Sequence, residues 1–92
     1  MRPISDETVN NARERWRQAL DCQKVEARIV QRMSADWLDK QGSAGAMVGL
    51  MQSVRRLVSA DERVLRRHNR YMTVLVMRMK QKEATDKGPD NA

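Results

Sequence analysis

From residue 4 to residue 87 the chain contains no proline, and its glycines in that span are confined to Gly42, Gly45 and Gly49. Proline and glycine are the strongest local breaks in regular structure. A chain with so few breaks has one natural place to reverse, the stretch Gln41-Gly42-Ser43-Ala44-Gly45. Small residues and two glycines relax the backbone there and permit a positive φ at a helix C-terminus. The reversal leaves two arms of about equal length. Both should be helical, because there is no Phe and only three other aromatic residues, while seven Met and many Leu and Ala supply apolar bulk. Unbranched side chains lose little rotamer freedom in a helix, and strand-favouring aromatics are scarce.

The start of the first arm is well marked. Ser5 is an N-cap residue, with Asp6 and Glu7 in the first turn where the helix dipole favours negative charge. Ile4 and Val9 have the spacing of a hydrophobic staple around it. An apolar stripe then follows through Val9, Ala12, Trp16, Ala19/Leu20, Gln23, Ala27, Val30, Ser34 and Trp37/Leu38. Beside it lies a shorter column, Cys22, Val25, Ile29 and Met33.

In the second arm Met47, Met51, Val54, Val58, Asp61, Leu65, His68, Met72, Leu75 and Met79 alternate steps of four and three. That is a heptad seam kept for more than four repeats. Leu50, Leu57, Val64 and Tyr71 flank it at intervals of seven. When the chain is folded back at Gly42-Ser43, facing residues have numbers summing to about 84 or 85. Trp16 then meets His68, Leu20 meets Leu65, and the polar Gln23 meets the polar Asp61. Two stripes found independently agree on one register.

The expected fold is therefore all-α: a long antiparallel helical hairpin with helices at about 5–41 and 44–82. Residues 83–92 are polar and contain Gly88-Pro89, so they are expected to form a disordered tail after a single domain at 1–82. Ser34-Ala35-Asp36 and Ser59-Ala60-Asp61-Glu62 both resemble N-caps. If either were used, the arms would break into a compact three- or four-helix bundle.

A lone hairpin buries one seam. The columns Leu50, Leu57, Val64, Tyr71 and Val25, Ile29, Met33 would then stay wet, and each large apolar side chain left exposed forgoes about 1.5–3 kcal/mol. Pairing of two hairpins into a four-helix bundle would cover them. A homo-oligomer, most simply a dimer, is expected through these residues. Asp61 and His68 would sit with Gln23 in a polar seam, where a carboxylate needs a partner and can specify register.

Charge is unevenly distributed. Residues 1–41 carry eight basic and seven acidic side chains, and residues 42–82 carry nine and two, within a net charge of +6. Arg55, Arg56, Arg63, Arg66, Arg67 and Arg70, with Lys80 and Lys82 beyond, make an exposed basic stripe opposite the expected seam. Guanidinium groups along a rigid rod suit phosphate backbones, without base readout. The scarcity of aromatics argues against single-strand recognition by stacking. A merely solvated outer face is the alternative, although few acids are interspersed.

Little in the chain suggests chemistry. His68 and Cys22 are the only residues of their kind, and no nucleophile is paired with a base. Cys22, among Ala19, Leu20 and Val25, is expected to pack as a small hydrophobe. No catalytic residue, metal ligand set or cofactor is expected. The spacing Gly45-x-x-x-Gly49 borders the turn and is expected to give loop flexibility. No run of about 18 apolar residues is present, so no span is expected, and a peripheral membrane helix lacks an aromatic-rich face. One free cysteine fits a reduced, cytoplasmic setting. The leading expectation is a small non-enzymatic protein that oligomerises and binds nucleic acid or a nucleoprotein complex through the arginine face. The alternative is a protein–protein module, an adaptor, chaperone or inhibitor, using apolar columns and a basic face on an acidic partner.

Overall fold

The computed structural model describes residues 3–40 and 42–87. They form two helices, α1 (Asp6–Lys40) and α2 (Ala44–Lys87), packed as an antiparallel hairpin about 73 Å long and 18 Å across. Ser34–Asp36 and Ser59–Glu62 lie inside unbroken helix, so their cap-like sequences are not used. In mid-helix the preceding turn already satisfies the amides that such a cap would serve.

The helix starts follow the capping chemistry. Ser5 Oγ accepts from Thr8 N at 3.2 Å, and Val9 N donates to Ser5 O at 3.2 Å. Ser43 repeats the motif for α2, with Ala46 N donating to its Oγ at 3.2 Å and Met47 N to its carbonyl at 3.1 Å. Gly45 lies in helical backbone and does not use positive φ, contrary to expectation. What favours glycine at 42 is space, since a Cβ there would lie 3.1 Å from Ala46 Cβ. Gly45 and Gly49 lie within α2 and not in a loop, with Gly49 against Met33 of α1.

α2 also runs further than expected. Residues 83–87 continue the helix, past the level at which Ile4 N donates to Gln81 Oε1 across the hairpin at 2.9 Å. Helix propagates by default until something stops it, and Gly88-Pro89 is the first such signal. The expected tail at 88–92, like Gln41 at the end of the first arm, lies outside the described residues.

The register agrees with the folded-back numbering. Gln23 Nε2 donates to Asp61 Oδ1 at 2.7 Å, and the Trp16 ring meets His68 edge-on at 5.1 Å between centroids. Asp6 pairs with Arg78 at the open end. Nearer the turn, the Ser53 hydroxyl donates to Met33 Sδ at 3.0 Å.

The rotation of α2 differs from the expectation. α2 turns Leu50, Leu57, Val64 and Tyr71 towards α1, all half-buried, together with the line Ser53, Ala60, Arg67 and Val74. The expected seam residues Met47, Met51, Val54, Val58, Leu65, Met72 and Met79 are instead exposed, from 38% to 64%. α2 is thus turned by about 100°, one residue step, from the expected orientation. Asp61, His68 and Leu75 remain at the seam's edge, which is why the two cross-helix contacts survive the rotation.

Size explains the choice. Among the described residues the buried side chains are Val9, Ala12, Ala19, Ser53, Ala60 and Val74, of which Ser53 and Val74 are fully covered. Small residues on the centre line of both helices let the backbones approach, and the distance between helix axes depends on such side chains. Leu50, Leu57, Val64 and Tyr71 straddle that line half-covered. Met33 belongs to this seam, so of the column expected to face outward only Val25 and Ile29 are exposed.

Tight packing at Ala60 is testable. Ala60→Leu should destabilise the hairpin by about 1–3 kcal/mol, because added methylenes must push the helices apart. Urea denaturation followed by circular dichroism measures the change, and a shift below about 0.5 kcal/mol would contradict the close approach.

Candidate nucleic-acid interface

The two sides of the seam are unlike. In an antiparallel pair, residues flanking the seam of one helix face the corresponding flank of the other. On one side, α2 presents Arg56, Arg63 and Arg70 at intervals of seven, about 10.5 Å apart along the helix. With the register above, Arg70 lies across from Arg15, Arg63 across from Cys22, and Arg56 across from Ile29. Arg66 and Lys80 lie one position further round, and Arg55 further still. Lys82 falls on the other flank, in line with Asp61 and Leu75, so it does not belong with the arginines.

Two shallow grooves on this flank collect the charges. Thr8, Asn11, Ala12, Arg15, Arg67 and Arg70 line the first. Cys22, Glu26, Arg55, Arg56, Ser59, Ala60 and Arg63 line the second. Cys22 is therefore an exposed groove residue, contrary to the expectation that it packs inside. The apolar neighbours read from the sequence lie on the helix face next to it, not over it.

Only the second groove contains an acid. Glu26 Oε2 is shielded from water with no hydrogen-bond donor in range, and its charge partner is Arg56 Nε at 3.6 Å. Arg56 Nη2 also donates to Ser53 Oγ at 2.9 Å, which holds this guanidinium down against the seam. The ion pairs among the described residues are Arg17–Glu14, Arg56–Glu26 and Arg78–Asp6. None involves Arg15, Arg55, Arg63, Arg66, Arg67 or Arg70. Arg67 is half-buried at a seam position, an expensive place for an uncompensated guanidinium. The arrangement is three convergent cations with the Thr8 and Asn11 side chains beside them.

Arg15 lies outside the basic stripe expected from the sequence. It belongs to an arm with balanced charge and joins the cluster only through the register, which locates it once the seam is correctly rotated. The expected polar seam of Gln23, Asp61 and His68 is present at the seam's edge. His68 Nδ1 also lies 3.2 Å from Asn69 Oδ1. Trp16 packs between His68 and Tyr71, with ring centroids 5.1 and 5.8 Å away. No group of three His, Cys, Asp or Glu side chains is placed to hold a metal ion among the described residues. No helix among them is long and apolar enough to cross a membrane.

No protein-family model, curated protein or solved structure matches the chain.

Like charges facing each other across a helix pair destabilise it by a few tenths of a kcal/mol, as they do within one helix. Arg70→Glu replaces the Arg15–Arg70 repulsion with attraction. It should raise the thermal midpoint of the free protein by about 1–3 °C at low salt, and the gain should shrink at high salt. A lowered midpoint at low salt would show that the two arginines do not repel.

Proposed function

We propose that this protein is a non-enzymatic helical assembly unit that binds nucleic acid, free or within a nucleoprotein complex, along its arginine flank. The observation carrying this reading is the Arg15–Arg67–Arg70 groove, built from both helices and free of acids. Arg63, Arg66 and Arg55 extend the same flank towards the turn without an ion pair. Mutual repulsion of this kind is relieved when phosphates enter, and guanidinium groups suit phosphate oxygens through paired hydrogen bonds. A straight rod with charges at a fixed rise tracks a backbone and leaves the bases unread. The apolar flank, described below, supports the other half of the reading, that the hairpin works as an oligomer.

The test is a titration of a labelled DNA or RNA duplex at several salt concentrations, read by fluorescence anisotropy. Affinity should fall steeply with salt. Arg15→Ala and Arg70→Ala should each reduce the slope of log affinity against log salt by about 0.9 for each DNA phosphate that the missing guanidinium no longer neutralises. The triple change Arg63/Arg67/Arg70→Glu should abolish binding. Absence of binding to either duplex at low salt would defeat the nucleic-acid reading. Salt-insensitive capture of an acidic protein, abolished in the same triple variant, would favour the protein–protein module.

A further inference from the structure

The flank opposite the arginines is apolar apart from Asp61 and His68. Met51, Val58, Leu65, Met72 and Met79 form one column, from 38% to 64% exposed. Val54, Asp61, His68 and Leu75 form the column beside it, at the edge of the hairpin seam. Together they keep the four-and-three spacing of a coiled-coil seam from residue 47 to residue 79. That distance is about 48 Å along the helix. At a helix width of about 10–12 Å the stripe covers on the order of 500 Å². Two such stripes face to face reach about the 1,000 Å² that separates specific interfaces from incidental contacts.

We propose that a second copy of this chain covers the stripe, α2 against α2 in antiparallel sense, with the two-fold axis at Leu65. The inference rests on the oligomeric half of the proposed function and is independent of the arginine flank. The occupant and the register both follow from the two polar residues in an otherwise apolar stripe. With the axis at Leu65, Val58 faces the second copy's Met72, and Leu65 faces itself. In the adjoining column Asp61 faces the second copy's His68, and the symmetry repeats that pair on the other side of the axis.

Neighbouring registers are worse for a stated reason. Half a heptad towards the turn sets Asp61 against Asp61. Half a heptad the other way sets His68 against His68. A full heptad towards the turn sets Asp61 against Val54 and His68 against Met47. A full heptad the other way leaves His68 against Leu75. Only the Leu65 axis gives both polar residues a complementary partner. Asp61 can take that partner, since Gln23 occupies only its Oδ1 and a carboxylate accepts at both oxygens. Leu65 has no such role within the hairpin, where it is the most exposed residue of the stripe after Met79. The arginine positions lie about 150° round the helix from the stripe, so the pairing leaves both arginine flanks facing outward.

Light scattering and disulfide trapping in a Cys22→Ser background test the proposal on nuclease-treated protein. The expected mass is twice the 10.7 kDa chain. Leu65→Cys should cross-link to itself rapidly under mild oxidation. Val58→Cys alone should not, because the axis places its two copies about 21 Å apart along the helix. Mixed Val58→Cys and Met72→Cys chains should cross-link to each other. Leu65→Asp should give monomers with the helix signal retained, since this side chain is mostly exposed in the hairpin itself. A monomeric mass for the parent chain at tens of micromolar would overturn the proposal, as would Val58→Cys cross-linking as fast as Leu65→Cys. Neither outcome touches the duplex titration, which stands or falls on the arginines.

Discussion

Two helices side by side can cover only one line of side chains, and the rest of this structure follows from which line that is. The covered line is made of Ala12, Ala19, Ser53 and Ala60, with Val9 and Val74 towards the open end. Side chains this small are enclosed because the backbones close over them. Larger ones at the same seam, such as Leu57 and Tyr71, are too tall to be covered from both sides and stay half-exposed. A seam of small residues contributes modest hydrophobic stabilisation per turn. Side chains this small also interlock little along the helix axis. The polar contacts supply the discrimination. Gln23 with Asp61, Met33 with Ser53, Glu26 with Arg56 and Asp6 with Arg78 fall at four levels along the hairpin. Most of these are partly solvated and individually weak. A slip by one heptad would break all of them together.

The turn and the register were legible in the sequence, and the rotation of α2 was not. The turn is written in Gly42-Ser43, where space and a capping hydroxyl are needed at adjacent positions. The register is written in the meeting of polar interruptions, Gln23 with Asp61, which any correct hairpin must match up. Rotation is ambiguous because α2 carries two heptad stripes one residue step apart. The column Leu50, Leu57, Val64, Tyr71 and the column Met51, Val58, Leu65, Met72 are equally regular. The second has Val54 and Leu75 beside it, which adds apolar bulk, and it is the one turned outward. The deciding signal was the adjoining line: Ser53 and Ala60 permit close approach, whereas Val54 and Asp61 do not. Periodicity measures hydrophobicity and is blind to how near two backbones can come.

The same blindness displaced the candidate site. Arg56, Arg63 and Arg70 were correctly grouped by sequence spacing, since residues seven apart share a face whatever that face packs against. Spacing alone does not fix their distance from the seam. They flank it, which brings them within reach of α1 and turns a one-helix stripe into a groove with Arg15 on its far wall. Lys82 left the group for the same reason, being a step round the helix that only the true seam defines. A cluster spanning both helices differs physically from a stripe on one. The spacing of the backbone positions that carry its charges is set by the helix packing, not by one helix alone.

The hairpin's geometry and the use of its surface are therefore coupled. The register that pairs Gln23 with Asp61 also sets Arg15 across from Arg70, because both pairs sum to about the same number. It equally holds Asp61 and His68 at the rim, each touched from α1 by one side chain and open on the other side. A change that shifted the helices by a single turn would separate both pairs at once. It would scatter the cations and misalign the rim. The polar contacts across the hairpin therefore hold its two unlike flanks in working order.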